Sequence, residues 1–152
     1  MKILVVSDTH GRASYLMEAV DTEKPDAVIH LGDGYKDLRG LGLMYPDIGV
    51  YSVGGNCDFS VELPKYLVIV THGVKIFMTH GHTYRVKSSL WELIRAAKSH
   101  KADVVLYGHT HTADVDEREG MTVINPGSLG YSGSYGILAV NNGRFSYERR
   151  SI

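Results

Sequence analysis

Apolar runs alternate with polar segments along the first half of the chain, at lengths that predict strands and helices in turn. Residues 3–6 are a short continuous apolar run, typical of strands buried on both faces. Residues 27–31 repeat the strand signal, with His30 among apolar residues, and residues 48–53 give a third strand. Apolar positions around residues 15–20 recur at helical spacing, and residues 36–45 form a polar stretch, helical or irregular. This βαβαβ order favours a largely parallel sheet.

Hairpin signals in the second half bring in antiparallel pairing. Residues 66–70 and 74–78 flank Thr71-His72-Gly73, which predicts a turn with a glycine. A helix is then predicted from a stripe of apolar residues, and a strand follows at 104–107. The stripe consists of Val86, Leu90, Leu93, Ile94 and Ala97. Two late hairpins are predicted to turn near Glu119-Gly120 and at Asn141-Asn142-Gly143.

Length and composition predict one ordinary domain, spanning residues 1–152. The 16 basic and 17 acidic side chains leave a formal charge of −1, which removes the overall attraction to polyanions and disfavours a nucleic-acid partner. The single cysteine, Cys57, cannot form an intramolecular disulfide. Without an apolar run of membrane-spanning length or a charged-then-apolar leader, we expect a cytoplasmic protein with no membrane partner.

Potential metal ligands follow the predicted strands, each at the point where a strand ends. In sheets of this kind, ligands bind in the crevice beyond the carboxyl ends of the strands, where several loops meet. We therefore expect seven side chains to converge there: Asp8, His10, Asp33, Asn56, His80, His109 and His111.

The chemistry of these seven side chains predicts a centre with two metal ions. Two carboxylates, one amide oxygen and four imidazoles suit Mn, Fe, Zn, Ni or Co better than calcium, and the set lacks the thiolates of a structural zinc site. Seven ligands are too many for one catalytic metal with an open position, but they fit two metals if one carboxylate bridges them. Asp33 is our choice of bridge, since Gly32 and Gly34 on either side let the backbone pass close to the ions.

Five short motifs occur in order along the chain and resemble those of the calcineurin-like metallophosphoesterase superfamily, over residues 7–111. They are Asp8-Thr9-His10, Gly32-Asp33, Gly55-Asn56-Cys57-Asp58, His80-Gly81 and Gly108-His109-Thr110-His111. Residues 125–128, Asn-Pro-Gly-Ser, resemble the closing motif of the small YfcE-like phosphodiesterase branch. The resemblance implies an α/β (α+β) fold in which two packed β-sheets, a sandwich, are flanked by helices.

The resemblance also implies a ligand assignment and a reaction. It implies that one metal is bound by Asp8, His10 and His111 and the other by Asn56, His80 and His109. Asp33 would be a ligand of both metals. Two divalent transition metal ions, Mn²⁺ being favoured over Ni²⁺, Fe²⁺, Zn²⁺ and Co²⁺, would activate a bridging hydroxide that attacks a small-molecule phosphodiester.

Three residues near the expected centre are candidates for direct work on the substrate. The amide NH₂ of Asn56 is placed to donate to a phosphate oxygen, and Arg12 is a candidate for a bidentate contact. Many superfamily members have histidine where this chain has Cys57. The Cys57 thiol either donates a proton to the leaving oxygen or is a small filler without a catalytic role. The residues at 128–136, rich in glycine and serine, are a candidate mobile lid.

Other functions stay open at this stage. A nuclease or a phosphomonoesterase of the same superfamily would use the same ligands, and the same fold serves as a non-catalytic protein-assembly scaffold in a retromer subunit. A homo-oligomer is also compatible with the sequence. Among the remaining histidines, we expect His30 to be a hydrogen-bonded core residue and His72 and His100 to have no functional role. His82 is a candidate partner of the ligand His80.

Overall fold

Two five-stranded β-sheets form the centre of the protein, in a computed structural model that describes all residues 1–152. The first sheet has the strand order β10-β9-β1-β2-β3, and β1, β2 and β3 run parallel while β9 pairs antiparallel with β1 and with β10. Its strands are β1 (Lys2–Val6), β2 (Ala27–His30), β3 (Gly49–Ser52), β9 (Ser134–Asn141) and β10 (Arg144–Ser151).

The second sheet has the order β4-β5-β6-β8-β7, with β5, β6 and β8 parallel and the two edge strands antiparallel. Its strands are β4 (Tyr66–Thr71), β5 (Val74–Thr79), β6 (Val104–Leu106), β7 (Asp114–Arg118) and β8 (Met121–Asn125). Each sheet therefore contains three adjacent parallel strands, and the sequence correctly predicted a mixture of parallel and antiparallel pairing.

Four helices accompany the sheets: α1 (Ala13–Glu23), α2 (Arg39–Met44), α3 (Trp91–Ser99) and α4 (Leu129–Ser132). Short 3₁₀ turns lie at Tyr35–Leu38 and His82–Tyr84. None of the helices combines the length and apolar character needed to cross a membrane.

The predicted stripe that opens with Val86 is not helical from its first residue, because α3 begins only at Trp91. Arg85 has a left-handed backbone (φ 53°), which ends the preceding turn and separates Val86 from the helix. Val86 is nevertheless buried in the same apolar cluster as Leu93 and Ala97 of α3. The stripe was right about burial and wrong about where the helix starts.

Strand alternation divides the apolar residues among three layers. Ile3 and Val5 of β1 join the cluster between the two sheets, together with residues of the second sheet such as Ile76. The intervening residues Leu4 and Val6 point the other way and pack against α1. A third cluster lies between the outer face of the second sheet and α3. The result is a two-sheet sandwich covered by helices on both outer faces, as expected.

Two loop interpretations need correction. The density of charged residues at 114–119 suggests a solvated hairpin tip, but Asp114–Arg118 forms edge strand β7 and only the turn at Glu119 and Gly120 is a tip. The candidate lid at 128–136 is also wrong. Leu129 and Gly130 donate backbone hydrogen bonds to the carbonyls of Ser7 and Asp8 (3.0 and 3.1 Å), so this segment is fixed to the loop after β1.

Candidate metal centre

The loops that follow β1, β2, β3, β5 and β6 meet at one rim of the sandwich and bring the seven expected ligands together. Backbone hydrogen bonds join the loops: Asp8 donates to the carbonyl of Gly32, and His10 donates to that of Asp33 (both 3.0 Å). Between the sheets, Nδ1 of His80 donates to the carbonyl of Leu31 (2.8 Å). The centre is therefore built by both sheets, as their parallel strands require.

Asp8, His10 and His111 form the first half of the centre. Oδ1 of Asp8 lies 3.1 Å from Nε2 of His111 and 3.7 Å from Nε2 of His10, and the two imidazole nitrogens are 3.4 Å apart. This Oδ1 is buried and accepts no hydrogen bond, although the other oxygen of Asp8 accepts from Ser7 and from the backbone of His109. A buried carboxylate oxygen without a partner fits a cation.

His80, Asn56 and His109 form the second half. Because Nδ1 of His80 donates to a carbonyl, its Nε2 is free to act as a metal ligand. Oδ1 of Asn56 lies 3.0 Å from this Nε2, and the ring of His109 lies 5.0 Å from the ring of His80. The ring of His82 is 5.3 Å from that of His80.

Asp33 lies between the two halves. Its Oδ2 is 3.4 Å from Nε2 of His80 and 3.9 Å from Nε2 of His10, while its Oδ1 accepts from the backbone of Cys57 (2.7 Å). Burial opposes ionisation, but the hydrogen bonds from His80 and Cys57 outweigh it and hold the pKa of Asp33 well below its usual range. Asp33 is therefore ionised at neutral pH and has contacts with both halves.

The carboxylates of Asp8 and Asp33 favour a positive charge on the neighbouring His80, whereas His109 lies in a less favourable environment for protonation. Burial works against protonation of His80, yet the hydrogen bond to Asp33 and the charges of Asp8 and Asp33 raise its pKa. For His109, burial and then the positive charges of His80 and Lys87 lower the pKa to about 4. His109 is therefore neutral at pH 7, which is the form that binds metals.

The backbone at five of the seven expected ligands is left-handed, a conformation that non-glycine residues adopt infrequently. Strain of this kind concentrates at functional sites and is held by the surrounding structure. The five residues, with their φ angles, are Asp8 (53°), His10 (45°), Asp33 (59°), His109 (66°) and His111 (60°).

The glycines next to Asp33 lie where two neighbouring loops approach each other closely. A Cβ on Gly32 would lie 2.6 Å from the backbone nitrogen of Gly55, and a Cβ on Gly34 would overlap Oγ1 of Thr9. They therefore allow neighbouring loops to approach each other.

Asp58 supports the centre and was not assigned a role from the sequence. Its carboxylate accepts backbone hydrogen bonds from Asp33, Gly34, Tyr35 and Gly55 at 2.8 to 3.0 Å. Burial opposes ionisation, but these four donors lower its pKa. The residue thus ties the loop of Asp33 to the loop of Asn56. Its place at the end of the Gly-Asn-Cys-Asp motif was the available signal.

Three further polar residues hold the loop after β1. Asp37 accepts from the hydroxyl of Thr9 (2.6 Å) and from the backbone of Gly11 (2.9 Å). The Thr9 hydroxyl also lies 3.1 Å from Nε2 of His30, whose Nδ1 accepts from the backbone of Gly32. His30 is buried and hydrogen-bonded, as expected of a core histidine.

The closing motif at 125–128 also fixes the centre. The amide NH₂ of Asn125 donates to the carbonyl of Gly108 (3.0 Å), which holds the loop that carries His109 and His111. The hydroxyl of Ser128 donates to the carbonyl of Asp8 (2.9 Å).

A cleft of about 200 Å³ opens beside His10 and Asp33, and its further walls include Cys57 and Lys36. Burial, then a hydrogen bond to Asp33, raises the pKa of Cys57, which keeps the thiol protonated at neutral pH. Arg12 does not line this cleft. Its guanidinium lies 5.7 Å from the centre of the Tyr15 ring, so its contact with phosphate stays a prediction.

The donor set fits divalent transition metals. Ligand atoms of Asp8, His10 and His111 lie within 4.8 Å of one another, and the same holds for Asp8, Asp33 and His80. Two nitrogen ligands with metal bonds of about 2.1 Å in tetrahedral geometry lie about 3.4 Å apart, the separation found between His10 and His111.

The sandwich with a carboxylate and imidazole centre at its rim defines a metallophosphoesterase. The family model for the calcineurin-like phosphoesterase superfamily domain matches residues 1–143. The chain belongs to this superfamily.

Named relatives support this classification. The chain is 33% identical to the probable metallophosphoesterase YsnB of Bacillus subtilis over 150 residues, which cover 93% of this chain and 86% of the relative. It is 31% identical to a phosphodiesterase of Methanocaldococcus jannaschii over 144 residues, which cover 84% of this chain and 83% of the relative.

Solved structures share the fold. An uncharacterised protein of Streptococcus pneumoniae, described as a predicted phosphoesterase, matches with a TM-score of 0.82 and 30% identity over 99% of this chain and 88% of the other. Vps29 of Entamoeba histolytica in complex with Zn²⁺ matches with a TM-score of 0.77 and 23% identity over 99% of each chain, which shows the fold alone.

Proposed function

We propose that this protein is a phosphodiesterase that hydrolyses a small-molecule phosphodiester at a pair of divalent metal ions. The observation that carries the proposal is a convergence of oxygens on one imidazole nitrogen. Nδ1 of His80 donates to Leu31, so Nε2 is the nitrogen that faces the oxygens of Asn56, Asp33 and Asp8, at 3.0, 3.4 and 4.0 Å. These oxygens favour a positive charge between them, which a metal ion would supply in place of the proton on Nε2.

The ligands divide between two ions around Asp33. Asp8, His10 and His111 hold one ion, and Asn56, His80 and His109 hold the other. Asp33 binds both, which agrees with its contacts to His80 and His10. When bound, the pair supplies Lewis acidity and a hydroxide nucleophile at neutral pH.

The protein's own groups orient the ligands and the substrate. The carbonyl of Leu31 accepts from Nδ1 of His80 and thereby orients the ring. The Ser7 hydroxyl donates to Oδ2 of Asp8, which leaves Oδ1 for the metal. The side-chain NH₂ of Asn56 would donate to a phosphate oxygen. Cys57 lines the cleft next to Asp33, and its protonated thiol either donates to the leaving oxygen or only fills the wall of the cleft.

A small diester is the favoured substrate, and Mn²⁺ is the favoured ion. The carboxylate and amide oxygens of the ligand set suit Mn²⁺, while the imidazoles also accept Ni²⁺, Fe²⁺, Zn²⁺ or Co²⁺. The near-neutral charge disfavours nucleic acid as the substrate. The named phosphodiesterase of M. jannaschii supports a diester over a monoester.

Metal stoichiometry and turnover test the proposal together. Calorimetric titration with Mn²⁺ should give two ions per chain for the wild type and one for His111→Gln or His109→Gln. Asp33→Asn should weaken binding of both ions, and His72→Gln, in an exposed hairpin turn, is the matched control. One ion in the wild type would contradict the pair.

Hydrolysis of bis-p-nitrophenyl phosphate should exceed that of p-nitrophenyl phosphate and should stop when EDTA removes the metal. A preference for the monoester would favour a phosphomonoesterase. Absence of turnover with all five ions would favour a protein-assembly scaffold, the alternative that the fold similarity to Vps29 keeps in view.

A further inference from the structure

An exposed aromatic ring, that of Tyr131, lies directly against the candidate metal centre. Its centroid is 4.9 Å from that of His10 and 5.1 Å from that of His111, although 70% of the residue is exposed to solvent. One side of the ring thus contacts two expected ligands, and most of the residue remains open. Such a ring can stack on a planar group of a bound molecule.

The position of Tyr131 is fixed by its surroundings. The residue lies on α4, and its backbone N–H donates to the hydroxyl of Ser128 (3.0 Å), which in turn donates to the carbonyl of Asp8. The neighbouring Gly130 packs so closely that a Cβ there would overlap the carbonyl oxygen of Thr9. The backbone that carries the ring is therefore held in place, so little further ordering of this segment is needed when a ligand stacks on the ring.

A basic groove of about 560 Å³ continues from His111 along the end of β10. Its polar wall includes Ser132, Arg149 and Arg150. Arg150 is neutralised by Glu23 and Glu148, at 3.0 and 2.8 Å. Arg149 is exposed and forms none of the ion pairs of the structure, so its guanidinium is available to an anion.

The geometry points to a subsite for a nucleotide on the His111 side of the centre, with the base stacked on Tyr131 and a further phosphate at Arg149. This inference rests on the proposed function and names the class of its substrate. A diester has two arms, and the cleft beside Cys57 leaves space for the other one. A planar base and a second anion are the two features that an open aromatic ring and an unpaired arginine recognise together.

Two chromogenic diesters test the role of Tyr131. Thymidine 5′-(p-nitrophenyl phosphate) carries a base, and methyl p-nitrophenyl phosphate does not. The wild type should show a KM lower by about tenfold for the first, as expected for one stacked base. Tyr131→Leu should lose this ratio, and Tyr131→Phe should keep it. Equal ratios in all three proteins would overturn the inference, as would an equal loss of kcat on both substrates, which indicates disturbance of the histidines.

A third substrate tests Arg149. Arg149→Gln should raise KM about fivefold or more for the thymidine diester that carries an additional 3′-phosphate, and not for the parent diester. Arg144→Gln, at the other end of β10, is the matched control. An unchanged KM would overturn the phosphate contact. Turnover without these ratios refutes the subsite alone, whereas no turnover of any diester refutes the proposed function and the subsite with it.

Discussion

Replacement of Asp58 by alanine should both destabilise the protein and weaken its metal binding. The carboxylate accepts four backbone hydrogen bonds, two on each oxygen, from the loops that carry Asp33 and Asn56. A net contribution of about 1 kcal/mol per bond gives roughly 4 kcal/mol as an upper value. Asp58 is half-buried, so water replaces part of this, and about 2–4 kcal/mol is expected.

Thermal unfolding in EDTA should measure that loss without a contribution from metal. For a chain of this length, each kcal/mol shifts the Tm by about 2–4 °C, so Asp58→Ala should unfold about 5–15 °C below the wild type. Asp58→Asn should recover less than half, because one oxygen keeps its two donors while the NH₂ group faces the other two. Asp47→Asn, at an exposed position, is the control and should leave the Tm unchanged.

The same variant should lower the affinity for Mn²⁺ about 10- to 100-fold, the range seen when groups that orient metal ligands are removed. Asp58 itself binds no metal in this scheme, so the loss of affinity would come from displacement of the loops that carry Asp33 and Asn56. If Asp58→Ala has the same Tm as Asp47→Asn and binds Mn²⁺ as tightly as the wild type, the four hydrogen bonds do not hold the two loops together and the reasoning fails.

Two further predictions concern groups at and away from the centre. Glu23, bound by Lys2, Tyr135 and Arg150, has a pKa below its ordinary value despite opposing burial, so its stabilisation is present above the unfolded pKa and is lost as the pH falls through the folded one. Glu23→Gln should therefore lower the Tm at pH 7 and differ less from the wild type at pH 3, while Glu18→Gln on the exposed face of α1 should show no such trend. Cys57→Ser should hydrolyse bis-p-nitrophenyl phosphate at nearly the wild-type rate, because an activated aryl oxide needs little help from an acid; a loss of about a hundredfold in kcat would show that the thiol donates the proton.

The strands and the positions of the candidate ligands could be predicted from the sequence because both depend on local patterns. The continuous apolar run at residues 3–6 is visible without any partner strand, and each potential ligand follows a strand end. The division into two sheets came from the family resemblance, since no local property tells β5 to pair with β6 rather than with β2.

The features that were missed depend on tertiary contacts. Asp58 is one acidic residue among 17 until its four donors from separate loops are seen. The glycine and serine content at 128–136 resembles that of a free loop, yet small side chains are what let this segment pack against Asp8. Tyr131 stands out among the ten tyrosines by its place in this segment, but its contact with His10 and His111 is visible only in the structure.

The left-handed backbone at five of the expected ligands restricts how this surface can change over evolutionary time. Glycine and asparagine adopt that conformation most readily, and β-branched residues do so least. A descendant that no longer needs cations is therefore expected to replace these aspartates and histidines with glycine or asparagine sooner than with valine or isoleucine. The backbone would then preserve a record of the lost chemistry after the ligands themselves had gone.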